Sequence, residues 1–208
     1  MLDAMLRHPV RRCERNAPDW ERAPVLRDFR FPWENRPAPA TEFRALHDGE
    51  CLYFRFDCVD TDLVLADGDA RARVLGSDRV ELFFAADLRL DPYHCFEMEP
   101  RGSVLAYRGR FHRQFDWDWQ GPDLHLQTRL GRAEYRVQGR LPLAELRAWG
   151  VLRPGSGDLL TGVHRGEFCH GSDGTVQPGW MTWVDPQTER PDFHVPTAFG
   201  VLELEAPV

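Results

Sequence analysis

The segment TEFRALHDGECLYFRFD, residues 41–57, contains two runs of alternating apolar and polar residues on either side of an Asp48-Gly49 pair. Such alternation is typical of a half-buried strand, and an Asp-Gly pair between two alternating runs is the strongest local signal for a hairpin. The segment therefore predicts two antiparallel strands joined by a tight turn.

Similar short runs of alternating residues follow along the rest of the chain. They cover residues 79–85, 93–99, 104–108, 124–130, 135–141, 159–168, 180–184 and 199–203. One short helix is predicted near 143–149, because Pro142 stands at its start, good helix formers fill its interior and Gly150 ends it. About ten short strands with a single helix predict an all-β fold, an antiparallel β-sandwich.

The composition limits the class of protein to which the chain can belong. Its 208 residues suit one domain over 19–208, preceded by an N-terminal arm over 1–18. The 13 Phe and 7 Trp supply enough apolar surface for a core and exclude a disordered chain. The net charge of −7 argues against a nucleic-acid partner. All 26 basic residues are Arg, which excludes Schiff-base lysine chemistry and a Walker-type phosphate loop.

The start of the chain and its apolar runs bear on its location. No run approaches the roughly 18 apolar residues of a membrane helix, so no membrane partner is expected. The first residues include Asp3 and no apolar stretch of signal-peptide length. We therefore expect a cytoplasmic protein; a misassigned start codon would instead hide an export signal and make the protein secreted. The cysteines are scattered without a C-x-x-C spacing, which leaves a zinc ribbon or redox motif unsupported.

Two of the predicted strands bring acidic side chains to one face. Alternation points the apolar set of 78–84 inward and leaves Glu81 opposite, and it does the same in 93–99 for Tyr93 and Glu97. If the two strands pair, the two carboxylates share a face with aromatic rings nearby. Carboxylates accept hydrogen bonds from sugar hydroxyls, and rings pack on the C–H face of a sugar. The same pattern is also typical of the solvated outer face of an ordinary sheet.

A second polar set lies near the C-terminus. In 162–168, alternation puts Arg165 and Glu167 on one strand face. Trp180 and Trp183 are separated by an odd number of positions, so an unbroken strand points them to opposite sides. One of these rings is therefore predicted to lie in the core, and the other to be exposed or in a groove.

A run of acids could bind a metal ion. Asp57, Asp60 and Asp62 follow a predicted strand, where loop oxygens could hold Ca²⁺. A plain solvated acidic turn has the same composition. The histidines lack the short spacings of a strong ligand set.

Several segments, taken in order, are similar to one known family. They are 28–33 (DFRFPW), 52–56 (LYFRF), 78–83 (DRVELF), 96–102 (FEMEPRG), 141–143 (LPL), 180–183 (WMTW) and 193–200 (FHVPTAFG). Together they resemble the carbohydrate-binding module family nine-like domains, members of the wider DOMON-like, jelly-roll-like group of β-sandwiches. The resemblance runs from Trp20 to Leu204 and implies a β-sandwich that binds sugars.

The resemblance also implies roles for particular residues. Xylanase-borne members hold a terminal saccharide unit between two Trp rings, beside charged side chains, and they carry structural Ca²⁺. Position by position, Trp183 matches one ring and Glu81 matches a hydrogen-bonding acid. The second ring is expected where this chain has Leu75, and the family's binding Arg is expected at Glu97. Either another ring replaces the missing one, or this branch no longer binds sugar in that way. The candidate rings are Tyr93, Phe111, Trp117 and Trp119.

The leading hypothesis is a carbohydrate-binding domain without catalysis of its own, acting in carbohydrate catabolism on a saccharide or a polysaccharide end. The residues predicted to line its site are Trp183, Glu81, Glu97, Arg165, Tyr93 and Trp117.

Three alternatives remain open. One is a glycoside hydrolase with Glu81 and Glu97 as its paired carboxylates. Another is a haem protein, because some members of the DOMON-like group bind haem through axial Met or His ligands. The candidate ligands are Met98, Met181 and His94. The last alternative is a structural or interaction module without a small ligand.

Overall fold

The computed structural model describes residues 4–205, so the first three residues of the predicted 1–18 arm and the last three of the chain lie outside it. The strands are β1 (Arg7–Arg12), β2 (Val25–Leu26), β3 (Thr41–His47), β4 (Cys51–Val59), β5 (Arg79–Ala85), β6 (Tyr93–Met98), β7 (Val104–Arg110), β8 (Gln114–Asp116), β9 (Gln127–Leu130), β10 (Glu134–Pro142), β11 (Asp158–Gly166), β12 (Cys169–His170), β13 (Val176–Gln177), β14 (Trp180–Thr182) and β15 (Gly200–Leu204). The helices are α1 (Ala70–Leu75) and α2 (Leu143–Ala148), with a 3-10 turn over Pro196–Ala198.

Two sheet layers form the fold, and β1 belongs to both. The first layer has the strand order β8-β7-β6-β5-β11-β15-β1, and the second has the order β1-β3-β4-β10-β9. The first half of β1 pairs with β15, where His8 lies opposite Leu202, and its end pairs with β3, where Arg12 lies opposite His47. The predicted β-sandwich is confirmed, but the sheet is mixed because β1 runs parallel to both of its neighbours.

The N-terminal segment differs from the predicted arm. Residues 7–12 form β1 at the junction of the two layers, and Val10 is fully buried in the core. The sequence of β1 shows no strand-like alternation of apolar and polar residues, because only His8 and Val10 are buried in this Arg-rich run. Burial of so few side chains gives no readable period.

The core lies between the two layers and is built from the inward positions of each strand. The predicted 41–57 hairpin is present as β3 and β4, where Phe43 lies opposite Phe56 with ring centroids 4.9 Å apart. Each fully buried side chain of this size contributes about 1.5–3 kcal/mol relative to exposure. The inward positions of the first layer that join this core include Val80, Leu82, Phe84, Phe96, Met98 and Val163.

The first layer is also covered on its outer face. There Phe83, Tyr93 and Tyr107 pack beneath Phe193 and Phe199, which belong to the segment between β14 and β15. For this reason every residue of β5 and β6 is buried, and neither strand has a solvated face. The covering segment leaves a gap over β5, β6 and β7.

Residues 4–205 contain two α-helices where the sequence predicts one. α2 occupies 143–148 as predicted. α1 was missed because it has six residues with only Val74 buried, too few for a helical period to show. Asp69 caps it by accepting a hydrogen bond from the Ala72 backbone N–H at 2.8 Å. Within residues 4–205, neither helix has the length and apolar character that crossing a membrane would require.

Candidate functional site

A cleft of about 450 Å³ opens on the outer face of the first layer, over β5, β6 and β7. Its polar floor comes from the strands, and its walls come from α1, the 111–119 segment and the stretches that flank β14. The residues that line it are Leu75, Arg79, Glu81, Glu97, Tyr107, Arg113, Phe115, Trp117, Phe168, Val176, Pro178, Trp180, Pro191, Asp192, Phe193 and His194. We call it the outer cleft.

Two carboxylates and one guanidinium form the floor of the outer cleft. Glu81 and Glu97 lie directly opposite each other on β5 and β6, as the alternation predicts, and are 2% and 4% exposed. Arg79 Nε lies 2.9 Å from Glu81 Oε1 and 2.7 Å from Glu97 Oε2. The Tyr107 hydroxyl donates to Glu97 Oε1 at 2.7 Å. The floor is therefore a connected polar network beneath an otherwise apolar cleft.

Burial and like charge control the protonation of this floor. Burial first, and then the neighbouring Glu97 carboxylate, raise the pKa of Glu81 to about 8, against the opposing effect of Arg79. Burial acts against the charge of Arg79, but the two carboxylates outweigh it and raise the Arg79 pKa. The guanidinium therefore stays charged, and the Glu81 carboxyl holds a proton at neutral pH.

Aromatic rings form a large part of the wall. Trp180 packs edge-to-face against Phe168 and Phe193, with centroids 5.6 and 5.9 Å apart. The Arg79 guanidinium carbon lies 5.0 Å from the Trp180 ring centroid. On the other side, the exposed Trp117 ring packs against Tyr107 at 4.6 Å. Buried hydrogen-bonding groups below flat apolar rings suit a ligand with hydroxyls on its edges and apolar C–H faces.

The structure places the predicted second-wall residues at different depths. Trp117 and Leu75 both line the outer cleft, so an aliphatic side chain occupies the position where the resemblance puts a second clamp ring. Tyr93 is fully buried and its hydroxyl meets His194 Nδ1 at 3.0 Å, so it supports His194 from below. Trp119 packs on the core, and Phe111 is exposed outside the cleft.

Trp183 does not lie in the outer cleft. It is 3% exposed within the core between the layers, and its ring meets His8 edge-on at 6.4 Å. Trp180 is the ring in the cleft. It lies opposite Gly166 of β11, and Gly166 lies opposite Arg79 of β5, so Trp180 is on the same face of the sheet as Arg79 and Glu81. The odd spacing correctly predicts that the two rings point to opposite sides. The match with the family assigned the binding role to Trp183, which is wrong because Trp183 is the core ring.

Arg165 also points away from the outer cleft. It is fully buried, and it donates to Thr41 Oγ1 at 2.8 Å and to the Val59 carbonyl at 3.0 Å. Its parity is that of Val163, a core residue, so the alternation itself places the guanidinium on the inner face. Arg79 takes the position in the cleft, and it shares the parity of Glu81.

Sequence reasoning missed several cleft residues. Arg79 and Tyr107 could have been found, because alternation places them on the face of Glu81 and Glu97. The wall residues come from irregular segments that carry no period, and only the tertiary fold brings them together. These wall residues are Phe168, Phe193 and His194.

The predicted metal ligands separate into three places. Asp57 pairs with Arg55 and Arg136, each at 2.6 Å, and Asp62 meets His170 Nδ1 at 2.7 Å. Asp60 instead lies in a buried cluster with two acids the sequence did not indicate, with oxygens within 4.8 Å of one another. The two further acids of this cluster are Asp78 and Glu167.

The buried acidic cluster has the donor chemistry for a hard cation. Burial is the main cause that raises the pKa of Asp78 to about 8 and of Glu167 to about 7. Arg165 contacts Asp60 and Glu167, so one guanidinium is shared by two of the three carboxyl groups. Carboxylate oxygens are the ligands that Ca²⁺ prefers, and the residues present fit this ion.

The three haem-ligand candidates do not meet in the outer cleft. Met98 and Met181 are packed in the core between the layers. His94 stacks on Trp149 with ring centroids 4.3 Å apart. Each side chain therefore has a packing role.

Comparisons with known proteins agree with this fold. A family model for carbohydrate family 9 binding domain-like proteins matches residues 15–206. No curated protein matches the sequence significantly. A structure from Bacteroides uniformis, assigned as a carbohydrate-binding protein, aligns with a TM-score of 0.72 at 19% identity, covering 97% of this chain and 100% of that one.

Two further structures are of a carbohydrate-binding module family 9 from Caldicellulosiruptor kristjanssonii. The complex with glucose aligns with a TM-score of 0.58 at 18% identity, covering 98% of this chain and 97% of that one. The complex with cellotriose has the same TM-score and identity and covers 98% and 95%. At these identities the likeness shows the fold.

Proposed function

The chain belongs to the carbohydrate family 9 binding domain-like family, and we propose that it binds a saccharide in the outer cleft without catalysing a reaction on it. The observation that carries this proposal is the combination of buried Glu81, Glu97 and Arg79 in the floor with aromatic walls above them. Membership of the family agrees with it independently.

Each part of the cleft has a role in this binding. Glu97 Oε2 lacks a hydrogen-bond donor and can accept one from a sugar hydroxyl. Trp180 packs on one C–H face of the ring, the role that the resemblance assigns to Trp183, and Trp117 with Leu75 closes the other side. One or two stacked rings with a few hydrogen bonds give weak binding, on the order of micromolar to millimolar.

The ligand we propose is a small saccharide or the end of a longer one. The relatives from C. kristjanssonii were crystallised with glucose and with cellotriose, which makes glucose-type sugars the first to test. The cleft volume of about 450 Å³ lies within the usual range for small-ligand sites. A role in carbohydrate catabolism and a cytoplasmic location stay predictions.

The positions of the carboxylates favour binding over glycoside hydrolysis. In a hydrolase, the two carboxyl groups flank the scissile bond from opposite sides. Here Glu81 and Glu97 lie side by side on neighbouring strands of one floor, and both contact Arg79 Nε. An acid and a base held together in this way cannot act on two faces of one sugar.

We also propose that the buried acidic cluster of Asp60, Asp78 and Glu167 holds a structural Ca²⁺. Both Asp78 oxygens already accept backbone N–H groups, from Val64 and Phe168, which fixes the carboxylate in place. Asp60 and Glu167 then supply further oxygens. The bound ion would hold the ends of β4 and β11 to the start of β5.

Isothermal titration against a panel of mono- and oligosaccharides tests the saccharide proposal. We expect at least one sugar to bind, and Trp180→Ala to weaken it about tenfold by removing the stacked ring. The matched control is Trp20→Ala, because Trp20 is a half-buried ring packed on the second layer near Tyr53. Absence of heat with every sugar, or equal losses in both variants, would contradict the proposal.

A further inference from the structure

The floor of the outer cleft contains a carboxylate oxygen that receives no hydrogen bond from residues 4–205. Arg79 Nε carries a single hydrogen, which it donates to Glu81 Oε1 at 2.9 Å. Glu97 Oε2 lies 2.7 Å from the same nitrogen, but it forms no hydrogen bond. The Glu97 side chain is only 6% exposed, so bulk water does not compensate it. Glu97 lines the cleft, so a ligand group that enters it approaches this carboxylate.

The charges of the floor do not balance. Two carboxyl groups face one guanidinium, and Tyr107 contributes only a neutral hydroxyl. At the rim, Asp192 is already paired with His112 at 2.7 Å and with Arg113 at 2.9 Å. The floor therefore has one negative charge in excess whenever both carboxyl groups are ionised. Either a proton or a cationic ligand group must balance it.

We propose that the preferred ligand of the outer cleft is an amino sugar, whose ammonium group pairs with Glu97 and Glu81. This inference rests on the proposed saccharide binding. An ammonium offers three donors in tetrahedral directions, which satisfies the free oxygen of Glu97 and the adjacent carboxyl of Glu81 together. A sugar hydroxyl can also donate to these carboxylates, but only the ammonium brings a positive charge that balances the excess negative charge of the floor.

The aromatic walls also suit a cation. The Arg79 guanidinium already lies 5.0 Å from the Trp180 ring centroid and 5.5 Å from that of Phe168. A ligand ammonium beside these rings is attracted by their negative π surface, and the two carboxylates of the floor offset its repulsion from Arg79. A neutral sugar would gain no cation–π attraction here, and would leave Glu81 holding its proton.

The surroundings assign the exchangeable proton to Glu81. Burial lowers the pKa of His194 to about 3, so this ring stays neutral beside the floor. His164, behind Phe193, also has its pKa lowered by complete burial. The raised pKa of Glu81, about 8, means that this carboxyl holds a proton at neutral pH. An ammonium that binds here displaces this proton.

Calorimetry with matched ligands tests the inference. The probes are glucose, glucosamine and N-acetylglucosamine, with the corresponding galactose series, titrated at about pH 6.5 where the amine is protonated. We expect one amino sugar to bind about tenfold more tightly than its parent and its N-acetyl form. Titration in two buffers of different ionisation enthalpy should show release of up to one proton per amino sugar bound, and none for the parent.

Glu97→Gln gives the matched variant, and the readout is the ratio of amino-sugar to parent affinity. We expect this ratio to fall towards one, whatever happens to the absolute affinities. If the variant does not fold, the wild-type protein gives the same information, because the ratio should fall as the pH is lowered from about 7 to 5.

Two results would overturn the inference while leaving saccharide binding intact. One is a parent sugar that binds as tightly as its amino form, and the other is a preference for the amino form that persists in Glu97→Gln. If no sugar of any kind binds, the proposed function itself fails.

Discussion

Replacing Trp183 by alanine removes an indole that is 3% exposed between the two layers. Truncation of a buried Trp costs about 3–5 kcal/mol, because the apolar surface is lost and a cavity remains. In a domain of this size, each kcal/mol lowers the melting temperature by about 2–4 °C. Trp183→Ala should therefore melt about 6–20 °C below the wild type.

Thermal unfolding and sugar titration on one pair of variants separate the core role from the binding role. Trp180→Ala removes a half-buried ring from the cleft wall, so we expect a small loss of stability and a large loss of affinity. Trp183→Ala, measured well below its melting temperature, should keep its affinity. A Trp183→Ala protein with wild-type stability that no longer binds sugar would refute the placement of these two rings.

Three further predictions concern single groups. Adding Ca²⁺ at about 100 times its dissociation constant to chelator-treated protein should raise the melting temperature by about 5–11 °C; Asp78→Asn should abolish this shift, and Asp62→Asn should keep it. Tyr107→Phe removes the hydrogen bond to Glu97 and should weaken sugar binding by about threefold to tenfold in a titration; unchanged affinity would count against the floor. Burial lowers the pKa of His94 to about 4, so its NMR signals should remain those of a neutral ring down to about pH 5. Because the pKa of an unfolded histidine is about 6.5, the unfolded state takes up the proton first, and the stability that neutral His94 contributes is lost as the pH falls from about 6.5 to 4. Titration of His94 near pH 6.5 would contradict this.

Alternation predicted the parts of the site that lie on regular strands. Glu81 and Glu97 were placed on one face from sequence, and the register of β5 and β6 puts them opposite each other. The same rule, applied to Val163 and Arg165, would have placed Arg165 in the core. Odd or even position along a strand assigns a residue to one of its two faces, but alternation does not tell which of these faces is covered by another layer.

The remaining features depend on contacts between distant segments. β5 is buried on both faces, because the segment after β14 returns over it, and no local pattern encodes this return. The buried acidic cluster likewise joins Asp60, Asp78 and Glu167 from three separate elements. Neither could be found without knowing which segments meet.

The shared strand β1 has a consequence for how the domain is made. Its partners in the first layer belong to β15, so the pairing of residues near position 7 cannot form before residues near position 201 have been synthesised. On the ribosome, the second-layer hairpin of β3 and β4 can form early, while the seam between the layers stays open until β15 has been synthesised. Contacts of such long sequence separation slow folding. We expect chains truncated before β15 to expose the edges of both layers and to aggregate.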